Sequence, residues 1–214
     1  MISINLDGLT LNGDLTIPKN PIGLVIFSHG SGSSRLSPRN RYVAEILNEK
    51  GLATLLFDLL TIDEDRVYEN RFNIELLTRR LIAVTQWAQQ QTETKGMHIG
   101  YFGASTGAAS ALKAAAFYGG DIKAVVSRGG RPDLALNELP KVTAPTLLLV
   151  GGWDDVVIEL NQKAYDKLHC ERKLTIVPQA THLFEEPGKL KEVAQVSAQW
   201  FATHLSTVKD KNHV

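Results

Sequence analysis

The stretch Gly103-Ala104-Ser105-Thr106-Gly107 constrains this chain most. An apolar run over residues 97–102 leads straight into it, and an alanine-rich stretch over residues 108–118 leads straight out. A buried strand therefore meets a helix with almost no loop between them. Such a corner forces its central residue into a strained conformation, and small neighbours let the two elements approach closely enough to make it. Ser105 is that residue, and its hydroxyl projects from the sheet edge. The helix that begins there aims its free amide groups and positive dipole end at whatever Ser105 attacks, which suits a developing oxyanion. Gly-x-Ser-x-Gly alone also fits a packing or phosphate-type turn; the flanking strand and helix favour a nucleophile elbow.

The rest of the chain alternates strand and helix patterns around this corner. Residues 2–6 and 9–17 alternate apolar and polar around Asp7-Gly8 and Asn12-Gly13, as short antiparallel edge strands do. Continuous apolar runs at 24–27, 52–57 and 146–150 are of the kind that parallel strands buried on both faces require. Residues 122–127 and 173–177 read as further strands. Helical spacing appears over residues 39–50, 73–91 and 189–205, and residues 158–168 can form a helix. Residues 58–70 read as a polar connection and 128–144 as a connection without strong pattern. These elements predict an α/β fold: one domain over residues 1–206, a mostly parallel sheet with helices on both faces, no sizeable lid, and a polar tail at 207–214.

Composition narrows the function. The 214 residues carry 23 Lys plus Arg against 23 Asp plus Glu, a balance that offers no field for nucleic acid or an anionic membrane. No run of about 18 apolar residues is present to span a bilayer, and the N-terminal residues lack a signal-peptide pattern. The expectation is a cytoplasmic protein acting on small molecules. The single cysteine, Cys170, cannot form an internal disulfide and reads as a buried or half-buried bystander.

In a parallel sheet of this kind, ligands bind at the carboxyl ends of the strands. Ser105 follows one strand, Asp154 and Asp155 follow another, and His182 follows the last, in the order Ser, Asp, His. A serine hydroxyl is hardly ionised at neutral pH. It needs an imidazole to take its proton and a carboxylate to fix the imidazole tautomer. Among the histidines, His29 precedes a glycine turn and reads as structural. His98 begins a strand, and His169, His204 and His213 fall on helix or tail surfaces. Two consecutive aspartates point in different directions, so one reaches the imidazole while the other caps the helix or meets solvent; spacing leaves that choice open.

The Ser28 to Ser34 loop follows an early strand. The amide of Ser31 and that of Thr106 are the expected oxyanion donors, with a flexible Ser/Gly turn as the plain alternative. Arg35, Arg39 and Arg41 follow that loop, and Arg128 and Arg131 follow a strand at the same sheet edge. Arg39, Arg128 and Arg131 are candidates to clamp a substrate carboxylate. The structural alternative pairs Arg128 or Arg131 with Asp133 or Asp58.

Taken together, His29-Gly30, the Ser105 elbow, Gly151-Gly152-Trp153-Asp154-Asp155-Val156-Val157 and Ala180-Thr181-His182-Leu183-Phe184 resemble the α/β-hydrolases, and within them the dienelactone-hydrolase-like branch. The resemblance runs from about Leu24 to Phe201. It implies that the acid stands in a Gly-x-x-Asp-x-x-Val pattern, matched by Gly151, Asp154 and Val157, which points to Asp154 with Asp155 in reserve. It implies a hydrolase without metal or organic cofactor. Dienelactone hydrolases proper use a cysteine nucleophile, whereas this chain has Ser105, so neither a thiolate mechanism nor the dienelactone substrate carries over. The expected function is a serine hydrolase that cleaves a small carboxylic ester or lactone through an acyl-enzyme. Thioesterase, acyltransferase or perhydrolase chemistry could run on the same triad, and a non-catalytic binding module of the same fold is the rival from another class.

Overall fold

The computed structural model describes residues 1–206; the expected tail at 207–214, with His213, lies outside them. Among the described residues eight strands form one sheet in the order β1-β2-β4-β3-β5-β6-β7-β8. The strands are β1 (Ile2–Leu6), β2 (Leu9–Thr16), β3 (Leu24–Ser28), β4 (Ala53–Phe57), β5 (Ile99–Ala104), β6 (Ile122–Arg128), β7 (Thr146–Gly151) and β8 (Arg172–Val177). β1 pairs antiparallel with β2, and β2 antiparallel with β4; every other neighbouring pair is parallel. The central strands β3, β4, β5 and β7 are buried at every residue, as their unbroken apolar runs require.

Helices cover both faces. Leu77, Leu81 and Val84 of α3 (Ile74–Gln90), Ala111, Leu112 and Ala115 of α4 (Thr106–Tyr118) and Ala164 of α5 (Asp155–Lys167) pack on one side with Ile26, Leu55 and Tyr101. On the other, Val43 and Leu47 of α1 (Pro38–Glu49) meet Val193, Ala198 and Phe201 of α6 (Lys189–Leu205) over Val25, Phe27 and Phe102. Local chemistry sets the helix ends. Ser37 caps α1 by accepting from the Asn40 amide, with Pro38 in the first turn, and Asn73 caps α3 by accepting from the Leu76 amide.

Three local expectations are corrected. Asn12-Gly13 lies inside β2 and is not a turn, because β2 pairs on both edges and a side chain at Gly13 would meet Ile4 at 2.8 Å. The polar connection after β4 holds a short helix, α2 (Ile62–Asp65), closed by reciprocal bonds between Thr61 and Glu64. Arg128 belongs to the end of β6 and does not open the following connection. Residues 129–145, between β6 and β7, carry two short 3-10 turns and no inserted lid domain. No helix among the described residues is long and apolar enough to cross a membrane.

Candidate active site

Ser105 sits between β5 and α4 with φ 51° and ψ −123°, a positive φ that non-glycine residues seldom adopt. The corner is as tight as its small residues imply. A Cβ on Gly107 would stand 2.1 Å from the Ser28 carbonyl oxygen, and one on Gly103 would stand 2.5 Å from Ala108 Cα. The strain is held in place by backbone bonds to the end of β6 and the connection after it: the Ser105 amide donates to Arg128 O at 3.2 Å, and the Arg131 amide donates to Ser105 O at 3.0 Å. The Ser105 side chain makes no capping bond to its own helix, so its hydroxyl is not spent there.

The loops after β7 and β8 are stitched together by backbone. The Gly152 amide donates to Val177 O at 2.8 Å and the Trp153 amide to Ala180 O at 3.0 Å. This places His182 Nδ1 2.7 Å from Asp154 Oδ2. The carboxylate oxygen accepts, so Nδ1 carries the proton and the lone pair lies on Nε2. Asp154 stands at the N-cap position of α5 but makes no capping bond, which leaves its carboxylate for the imidazole. Asp155 is exposed in the first helical turn, where a carboxylate complements the helix dipole. Below His182, the buried Phe184 at φ 58° anchors the loop in the apolar core, and Thr181 Oγ1 donates to Glu186 Oε1 at 2.6 Å.

The end of β6 lies between His182 and the elbow. Its Arg128 carbonyl receives the Ser105 amide, and the next residue, Gly129, abuts His182, with a Cβ there 3.4 Å from the ring. Ser105 Oγ has no hydrogen-bond partner among the described residues.

The loop after β3 differs from expectation. The Ser31 amide is not a free donor, because it donates to Thr106 Oγ1 at 2.9 Å. His29 is structural: its Nδ1 donates to Gly30 O and its Nε2 accepts from the Leu59 amide at 3.0 Å, which joins the ends of β3 and β4. Burial pushes its pKa below the usual histidine value. A cleft of about 370 Å³ lies outside this loop, lined by Ser33, Arg35, Leu36, Leu60 and Arg71 among others; Ser105, Asp154 and His182 do not line it.

The three candidate arginines separate. Arg131 takes the structural pairing, donating to Asp133 from Nε and one terminal nitrogen through two 2.8 Å bonds. Arg39 pairs with the exposed Glu185 at 2.9 Å. Arg128 is buried, and its one hydrogen bond among the described residues is to the neutral Asn40 Oδ1 at 3.1 Å; its Nε has no partner. Burial and then the neighbouring charge of Arg39 push its pKa down to about 10, so it stays cationic at neutral pH. Asp58, a possible partner, binds Arg35 instead at 2.7 Å. The contributions of Asn40 and of the Thr106 hydroxyl escape sequence reading: Asn40 sits on an ordinary helix surface pattern, and nothing local says where either side chain points.

Comparison with known proteins identifies the family and the fold. The model of the family described as "Dienelactone hydrolase family" matches residues 12–210. Two Mycobacterium tuberculosis proteins, of strains CDC 1551 and H37Rv, each named "Putative phosphoribosyl transferase", are 59% identical over 193 residues that make up 90% of this chain and 44% of theirs. The chain thus spans less than half the length of those relatives. A crystal structure of a dienelactone hydrolase from Anabaena variabilis superposes with a TM-score of 0.93 at 51% identity, covering 95% of this chain and 96% of that one. Est1E from Butyrivibrio proteoclasticus, at 21% identity and a TM-score of 0.82 over 95% of this chain and 98% of its own, shares the fold. The architecture is the α/β-hydrolase fold, with no large lid among the described residues.

Proposed function

Starting from a chain that belongs to the dienelactone hydrolase family, we propose that it is a serine hydrolase cleaving a small carboxylic ester or lactone through an acyl-enzyme. The observation that carries this reading is the 2.7 Å bond between His182 Nδ1 and Asp154 Oδ2, in a fold whose strained elbow presents Ser105. Ser105 Oγ attacks the carbonyl carbon as His182 Nε2 takes its proton, and Asp154 holds the imidazolium that results. The free Thr106 amide, at the start of α4, faces the developing oxyanion. Collapse of the tetrahedral intermediate expels the alkoxide, which His182 protonates; in a lactone it stays tethered to the acyl group. Water then attacks the acyl-enzyme, with His182 as base, and releases the acid.

Arg128 supports a second, narrower reading: the substrate carries a carboxylate. A buried guanidinium without an acidic partner, beside a second arginine, is a costly arrangement that an anionic group would relieve. We assign the phosphoribosyl chemistry in the relatives' name to the part of those longer proteins that this chain does not cover.

The test is intact-mass labelling with a fluorophosphonate alongside turnover of p-nitrophenyl acetate. One adduct and turnover in the wild type, both lost in Ser105→Ala, are expected. A folded wild type that neither labels nor turns over would favour a non-catalytic binding module.

A further inference from the structure

The bond between Ser31 and Thr106 carries an inference that rests on the serine-hydrolase reading. An oxyanion hole at this elbow is expected to draw one donor from the amide after the nucleophile and one from the loop after β3. The loop donor is spent, because the Ser31 N–H, with its single proton, points at Thr106 Oγ1 2.9 Å away. The hydroxyl that receives it still owns a proton. Thr106 is 6% exposed, and among the described residues no acceptor takes that proton. A buried hydroxyl that accepts without donating stays incomplete until a lone pair arrives beside it. Thr106 directly follows Ser105, at the first position of α4, beside the residue that would attack the carbonyl.

We propose that the Thr106 hydroxyl is the second donor of the oxyanion hole. The oxyanion of the tetrahedral intermediate accepts one hydrogen bond from the Thr106 amide and one from Thr106 Oγ1–H, while the Ser31 amide behind it polarises the hydroxyl. No bond is made or broken in this contact; it stabilises the charge that appears when Ser105 Oγ adds to the carbonyl carbon. A chain running from N–H through O–H to an anion strengthens along its length, and its benefit falls on the oxyanion more than on the planar ester carbonyl. Ser31 is then a positioning residue acting through its backbone, and its side chain is dispensable.

The experiment compares Thr106→Val, which removes the hydroxyl at nearly constant volume, with Thr106→Ser, which keeps it. The readouts are kcat and KM for p-nitrophenyl acetate and the affinity of a trifluoromethyl ketone, whose adduct with serine carries the oxyanion. The expected result for Thr106→Val is a fall of about 10² to 10³ in kcat and a parallel loss of ketone affinity, with KM unchanged. Thr106→Ser is expected to restore most of both. If Thr106→Val does not fold, Thr106→Ala serves in the same comparison. Turnover in Thr106→Val equal to or above that of wild type means that the hydroxyl only occupies the hole, which overturns this inference and leaves the serine-hydrolase reading standing. A wild type that neither reacts with a fluorophosphonate nor turns over esters overturns both.

Discussion

His182 Nδ1 and Asp154 Oδ2 stand 2.7 Å apart, joining the loop after β8 to the loop after β7 across 28 residues of sequence. The bond selects the tautomer that leaves Nε2 free to accept a proton. It also chooses between two adjacent aspartates that spacing could not separate.

Asp154→Asn is expected to keep the fold and lower kcat by about 10⁴, because an amide no longer enforces the tautomer or stabilises an imidazolium. Asp155→Asn, on an exposed position of the first turn of α5, is expected to stay near wild type. Steady-state kinetics on p-nitrophenyl acetate checks both. Equal losses in the two variants would refute the assignment.

Arg128→Met is expected to leave the unfolding midpoint unchanged or raised, since an apolar side chain of similar length needs no ionic partner in the interior. If the substrate carries a carboxylate, KM for an anionic ester rises roughly tenfold relative to its neutral analogue, the equivalent of one charged hydrogen bond of about 1.5 kcal/mol. Identical KM ratios for the two esters would remove the carboxylate reading. Denaturant melts on the same samples separate stability from binding.

His29 makes stability depend on pH. Burial holds its folded pKa below 6.5, so between that lowered value and 6.5 the unfolded chain binds a proton that the folded chain does not. Stability from this group is therefore present above 6.5 and is lost as pH falls through the window. His29→Gln is expected to cost about 1 to 3 kcal/mol at pH 8 through the unpaired Leu59 amide and Gly30 carbonyl. It is also expected to flatten the acid side of a plot of unfolding free energy against pH. An acid slope equal to that of wild type would show that other groups set it.

Gly107→Ala is expected to destabilise the protein by about 3 kcal/mol or more, because the new methyl would sit 2.1 Å from the Ser28 carbonyl oxygen, a backbone atom that cannot swing aside. Gly120→Ala, where nothing lies within 4 Å, is the control and is expected to be nearly neutral. Urea unfolding of the two variants gives the difference.

Much of this architecture is legible in the chain. The apolar runs ending at Phe27, Phe57 and Val150 read as buried strands and are buried, because a strand covered on both faces tolerates no polar alternation. The helix over Ile74–Gln90 announces itself through Leu77, Leu81 and Val84 on one face. The capping signal of α2, Thr61 followed three residues later by Glu64, is also in the sequence and was masked by the polarity around it. Asn12-Gly13 misleads, because the same dipeptide that makes hairpin turns here serves a strand that needs room beneath Ile4.

By itself, the sequence determined the alternation of strands and helices, the tight Ser105 corner, and the placing of Ser105, Asp154, Asp155 and His182 after strand ends. All of these depend on residues within a few positions of one another. Only the tertiary structure decided which partner each polar side chain takes. Asp154 turns to His182, Arg131 to Asp133, Arg128 to Asn40, and the Ser31 amide to the Thr106 hydroxyl. The reason is physical: a hydrogen bond is settled within about 3 Å, and most of these distances are set by how distant strand ends are brought together by the sheet.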